Sequence, residues 1–274
     1  MNDQELNVRQ SAAAHHSLGE IVEERVNWQD ALDHYKRAYG QNATLEHQQA
    51  YARLCWRMGR WEEAVQLHKD ILEQVAVESG KAGNEYAAAL NNLATIYEKT
   101  GRYDAAEPLF DQALAIRRRV MGDDHPYTAS SLNNLAGLYR AQGRYAEAEP
   151  LYDQALSIRR RVEGHDHPDT AESLNNLATL YYVQERYDDA EPLYDQALAI
   201  RRRLLGADHP STAISLNNLA GLYRAQGRVA EAAPLLNDAV EIMERVLGVE
   251  HPNTKVAREN YEVLLAEMKE KGAA

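Results

Sequence analysis

Four histidines, His125, His167, His209 and His251, each follow an acidic residue and precede a proline. Histidine beside a carboxylate is the material of a metal site or an acid–base pair. Three arginine triplets, Arg117 to Arg119, Arg159 to Arg161 and Arg201 to Arg203, could clamp phosphates or carboxylates. The amide pairs Asn91-Asn92, Asn133-Asn134, Asn175-Asn176 and Asn217-Asn218 offer donors and acceptors together, which suits the backbone of an extended peptide. All these sets recur every 42 residues. They therefore belong first to a repeating unit, and the elements of that unit decide which of them can meet.

Within one unit, Leu132, Leu135, Ala136 and Tyr139 follow the i, i+3, i+4, i+7 spacing of an amphipathic helix that stops near Gly143. A second apolar stripe follows at Ala148, Leu151, Tyr152, Ala155 and Ile158. Gly101, Gly143 and Gly227 keep the turn between the two helices, and Glu185 stands in the glycine's place once. The exit loop stops one helix at Gly164 and starts the next at Pro168, whose missing N–H costs little in a first turn. Two such helices form an antiparallel hairpin that buries its stripes only against the next hairpin.

Weaker copies lie upstream. Tyr51, Ala52, Cys55, Ala64 and Ile71 repeat the pattern around Trp61, and Leu18, Gly19, Val22, Ala31, Tyr35 and Ala38 repeat it around Trp28. Six hairpins are expected in one elongated array: an N-terminal segment over 1–10, two degenerate hairpins over 11–84, four 42-residue repeats over 85–251, and a capping helix and tail over 252–274. In the tail, Tyr261, Leu264, Leu265 and Met268 share a face and charges take the rest.

The composite L-N-N-L-A-x-L-Y, then G-R-Y-x-x-A-E-P-L-Y-x-x-A-L-x-I-R, then H-P-x-T-A resembles the tetratricopeptide repeat of the kinesin light chain type, closely from about Asn84 to Thr254. The resemblance implies an all-α fold: a right-handed α-solenoid of helix-turn-helix repeats with a C-terminal capping helix. It also implies a groove that binds short peptides through first-helix asparagines and basic residues. The heptad coiled coil that joins a light chain to its motor is not expected, because residues 1–44 read as a repeat.

On a helical wheel the first-helix stripe takes one side, while Asn133, Asn134, Gly137 and Arg140 take the other. The candidate peptide-binding residues are therefore Asn91, Asn92, Lys99, Asn133, Asn134, Arg140, Asn175, Asn176, Tyr182, Asn217, Asn218 and Arg224. The asparagines have two readings: they contact a ligand, or they bridge neighbouring helices. Positions that vary between repeats would set specificity, among them Thr95, Glu98, Gly137, Thr179 and Gly221. Arg53, Arg57, Arg140 and Arg224 suit partner carboxylates, and Tyr182 suits a stacked or anchored side chain.

The other motifs read as architecture. Consecutive triplet arginines point about 100° apart, so a triplet makes no single patch, and cations favourably meet a helix C-terminus. Glu107-Pro108, Glu149-Pro150 and Glu191-Pro192 fall near a helix start, where acids suit the dipole. Equivalent histidines lie at least one helix spacing apart, about 8–10 Å, whereas ligands of one zinc lie about 2 Å from it. His15-His16 has no companion ligands. No metal, cofactor or catalytic constellation is expected, and the chain reads as a non-enzyme.

A formal net charge of −12 argues against wrapping nucleic acid. No apolar run approaches the roughly 20 residues that span a bilayer, so a cytoplasmic location is expected. Cys55 reads as a small reduced core residue. The function expected is a protein–protein interaction scaffold that binds an extended, acid-containing peptide. The alternative is a structural or sensor module that acts through its open end or convex face, including weak self-association.

Overall fold

The computed structural model describes residues 28–41 and 44–272. Leu18, Gly19, Val22 and the 1–10 segment lie outside the described residues. All the regular structure described is helical: α1 (Trp28–Gln41), α2 (Leu45–Arg57), α3 (Trp61–Glu78), α4 (Asn84–Lys99), α5 (Tyr103–Met121), α6 (Pro126–Ala141), α7 (Tyr145–Val162), α8 (Pro168–Val183), α9 (Tyr187–Leu205), α10 (Pro210–Ala225), α11 (Val229–Leu247) and α12 (Pro252–Gly272). The helices fall into two compact units, one ending at Asp123 and the other beginning at Asp124.

In the first unit, α2 packs on α3, α3 on α4 and α4 on α5. Tyr51, Ala52, Cys55, Ala64 and Ile71 are all buried there, as their place in the weakened repeat predicts. Ala31, Tyr35 and Ala38 of α1 have no exposed surface. Burial pushes the Cys55 thiol up to about 12, so the residue stays a neutral, inert core group.

The second unit is a regular helical stack, α6 to α12, in which each helix packs on the next. The predicted stripes form its interior: Leu132, Leu135, Ala136, Ala148, Tyr152, Ala155 and Ile158 are buried. Tyr139 is half-exposed, and the Arg144 guanidinium covers one face of its ring at 4.0 Å. The turn residue takes the left-handed conformation, at φ 75° for Gly143 and 77° for Gly227. Glu185 is forced into the same region at φ 61°, where a Cβ is unfavourable.

The His-Pro loops are helix starts. Nδ1 of His125, His167, His209 and His251 accepts the backbone N–H two residues on, at 3.1 to 3.2 Å. The imidazole thus takes the part that Ser or Asp plays in an ordinary N-cap. The threonine that follows is buried, and the Thr170 and Thr212 hydroxyls donate to the Gly164 and Gly206 carbonyls at 2.8 Å.

Arginines lock the stack. The first of each triplet turns inward: Arg117 and Arg159 are buried, and Arg201 donates to Ser215 at 2.7 Å. The third reaches outward, where Arg161 and Arg203 pair with Asp124 and Asp166, and Arg245, in the equivalent place on α11, pairs with Asp208. The turn arginines form a second clamp. Arg186 and Arg228 lie over Tyr181 and Tyr223 at 4.0 and 3.9 Å and pair with Glu149 and Glu191 of the preceding hairpin at 3.0 and 2.8 Å. The Arg228 hydrogen bonds hold the Glu191 carboxyl below its usual range. The Glu-Pro motif thus has a partner as well as a dipole, and Pro150, the sixth residue of α7, lies just beyond the first turn.

The last helix closes the stack. Thr254 and Leu264 are buried, while Lys255, Arg258 and Glu262 occupy the positions at which α10 buries Ala213, Leu216 and Ala220. Charges on that face of α12 keep it in contact with water. No helix among the described residues is long and apolar enough to cross a membrane.

Candidate functional site

The first helices of the second unit, α6, α8, α10 and α12, lie side by side and carry most of the candidate residues. The two asparagines of a pair take different positions. Asn133 is buried and donates from Nδ2 to Ser173 Oγ at 2.8 Å. Oδ1 of Asn175 accepts from Asn218 Nδ2, and Oδ1 of Asn217 accepts from Asn260 Nδ2, both at 2.9 Å. The amides therefore stitch each first helix to the next.

This corrects the wheel for Asn91 and Asn133, which it placed on the open polar side and which are buried. A wheel separates two faces, but a first helix in a stack also has two flanks, each against another first helix. Asn133 sits wholly in that seam, and Asn218 and Asn260, in the trailing position, reach across it to Asn175 and Asn217. Asn134 and Asn176 are half-buried. Bridging does not exhaust an amide, which carries two N–H donors and an accepting oxygen, so Asn217 and Asn218 keep hydrogen-bonding capacity. In the first unit, Asn91 is buried, Asn92 is exposed, and Lys99 is exposed and pairs with Glu98 at 3.3 Å.

Asn217 and Asn218 line a cavity of about 560 Å³ together with Tyr182 and Arg224, so four predicted residues meet in one place. Its origin is visible residue by residue. At one position α6, α8 and α10 carry Gly137, Thr179 and Gly221, and at one position of the paired second helix stand Tyr152, Tyr194 and Leu236. The Tyr152 hydroxyl lies 3.5 Å from where a Cβ on Gly137 would stand, and the Tyr194 hydroxyl donates to Thr179 Oγ1 at 3.0 Å. The α10–α11 hairpin has neither group: nothing lies within 4 Å of a Cβ built on Gly221, and Leu236 brings no hydroxyl. Two small replacements in one hairpin leave the space unfilled.

The walls are polar and the floor apolar. Asn260 and Glu267 of α12 complete the rim, and Leu236 lies beneath. Burial pushes the Tyr194 hydroxyl up to about 12, so it stays protonated and donates. Arg224 forks onto Glu267, with Nε at 3.0 Å and Nη2 at 2.5 Å from Oε1, and these bonds hold its guanidinium firmly in the charged form. Neither Asn260 nor Glu267 was a candidate from sequence. The signal for Asn260 was its place one repeat beyond Asn218; Glu267 lies where other repeats have Ala141, Val183 or Ala225 and had none.

Arg140, in the equivalent position on α6, is half-buried, and no carboxylate pairs with it among the described residues. Its Nε is buried without an acceptor there. A different cluster resembles a metal site: ligand atoms of Glu163, His167 and Asp169 lie within 4.8 Å of one another. Arg159 already sits among them, with Nη1 2.8 Å from Glu163 and 2.6 Å from Asp169, and His167 Nδ1 is committed to the helix cap. The charge that a cation would neutralise there is met by the guanidinium.

A family profile described as tetratricopeptide repeat matches residues 41–119, 85–159, 128–190, 175–245 and 215–274. No curated protein matches the chain by sequence. A solved kinesin light chain-type structure from Podospora anserina, described as having nearly identical TPR-like repeats, is 29% identical. That likeness has a TM-score of 0.59 and covers 74% of this chain and 96% of that one. BtubC (bKLC) from P. vanneervenii is 24% identical with a TM-score of 0.60, covering 88% and 92% of the two chains. A Rap protein solved in complex with Competence and Sporulation Factor is 17% identical with a TM-score of 0.61, covering 95% of this chain and 76% of that one. At such identities the last two show the fold alone.

Proposed function

Because the chain belongs to the tetratricopeptide repeat family, we propose that it is a non-catalytic scaffold that holds an extended, acid-containing segment of a partner protein against the first helices of its second unit. Folds of this family typically serve protein–protein interaction. The observation that carries the finer reading is the cavity at Gly221 and Leu236, walled by Tyr182, Asn217, Asn218 and Arg224. Its polar walls can bond a peptide backbone irrespective of sequence, and its apolar floor can seat a side chain. The Rap structure, a complex of a similar fold, supports the same direction by analogy.

The alternative is a structural or sensor module acting through its open end or convex face; stacking through the face of α12 has Lys255, Arg258 and Glu262 against it, since desolvating those charges and the Lys255–Glu250 and Arg258–Glu244 pairs is costly. The groove is tested by screening an array of random-sequence peptides and measuring Kd for the selected ones. Replacing both Asn134 and Asn176 with Ala should weaken them about tenfold, about 1.4 kcal/mol, without loss of helicity. Unchanged binding with a much lower Tm would make those amides structural and remove them from the binding surface.

A further inference from the structure

Arg140 and Arg224 hold the same place in the repeat, two hairpins apart, yet they are not equivalent cations. Arg224 is occupied by Glu267, at 2.5 to 3.2 Å through two of its nitrogens. Arg140 has no carboxylate partner among the described residues and keeps a buried Nε without an acceptor. The difference traces to one departure from the repeat: α12, the first helix that follows Arg224, carries Glu267, where α8, the first helix that follows Arg140, carries Val183.

We propose that Glu267 determines specificity: it neutralises Arg224 from within the chain, so a bound segment places its carboxylate on Arg140 and an uncharged side chain in the cavity beside Arg224. A guanidinium already forked onto a carboxylate gains little from a second one, which would also approach the like charge of Glu267. A half-buried guanidinium that no carboxylate answers among the described residues gains a charge-assisted bond from one on the partner. Rejection at one end and attraction at the other fix the direction in which the segment lies.

This inference rests on the groove reading above, and its test separates the two. Peptides of about twelve residues carrying a single Asp or Glu are selected on a random array, and their Kd is measured for wild type, Arg140→Gln, Arg224→Gln and Glu267→Ala, with Tm recorded for each. Alanine is tolerated at the positions equivalent to 267, so that variant should keep its helix. Arg140→Gln should weaken binding about tenfold or more and Arg224→Gln no more than about threefold, while Glu267→Ala should admit peptides with an additional or displaced acid. Equal losses at the two arginines, or an unchanged peptide selection by Glu267→Ala, would overturn the assignment and leave the groove standing. No selected peptide at all, or binding indifferent to both arginines and to the Asn134/Asn176 double variant, would overturn both.

Discussion

The hairpins α8–α9 and α10–α11 share their helices, caps and core positions and differ at the turn and at one packing position. Both have a first helix of 16 residues and a second of 19, started by a histidine cap and closed by a glycine at φ 95° or 84°. Leu174 and Leu216 are both 1% exposed, and Ala178 and Ala220 are fully buried. Yet Thr179 and Tyr194 hydrogen bond across the first hairpin, whereas Gly221 and Leu236 of the second make no such contact and line a cavity that Thr179, Tyr182 and Tyr194 of the first also border. Residues that recur build the stack; a departure that costs the stack little shapes the surface.

The largest effects should not distinguish the two hairpins. Leu174→Ala and Leu216→Ala should each cost about 2–5 kcal/mol, because both remove a fully packed side chain from equivalent interiors. Chemical denaturation of the two variants should give matching losses. A difference above about 2 kcal/mol would show that the hairpins are not equivalent in their cores.

A smaller and again equal effect is expected at the caps. His167→Ala and His209→Ala should each cost about 1 kcal/mol by leaving a first-turn N–H without its acceptor, and an Asn replacement should recover most of it. If Asn does no better than Ala, the imidazole's hydrogen bond is not what starts these helices.

The turn breaks the symmetry. Glu185 holds a left-handed conformation that Gly227 holds without a Cβ, so Glu185→Gly should stabilise by about 1 kcal/mol and Gly227→Glu should destabilise by a similar amount. Thermal melts of both variants test the pair, and a loss at Glu185→Gly would contradict the reading of strain.

Much of this was legible in the sequence because a period of 42 residues overdetermines it: helices, turns, cap and core positions were each stated several times. Tyr182, Asn217, Asn218 and Arg224, which line one cavity, were legible as the polar members of helices with a clear apolar stripe. The seam was not. Asn133 and Asn134 differ by one step on a wheel, and only the placement of neighbouring first helices decides which amide is buried. The clamp of Arg186 on Glu149 and of Arg228 on Glu191 left a trace, a constant separation of 37 residues, that a reading confined to one hairpin misses. Glu267 left none, since it belongs to no repeated position. The cavity itself required two departures, Gly221 and Leu236, to be seen as facing each other, which is a fact of packing rather than of pattern.

The most direct measurement transfers the filled hairpin into the open one. Gly221→Thr combined with Leu236→Tyr reproduces the pair that the α8–α9 hairpin already accommodates, so the double variant should fold, with a Tm equal to or above that of wild type because a helical glycine is removed. Its Kd for array-selected peptides should rise about tenfold or more, since the cavity is closed while every wall residue remains. A double variant that folds with an unchanged Tm and binds those peptides as tightly as wild type would show that the cavity is not where the partner is held.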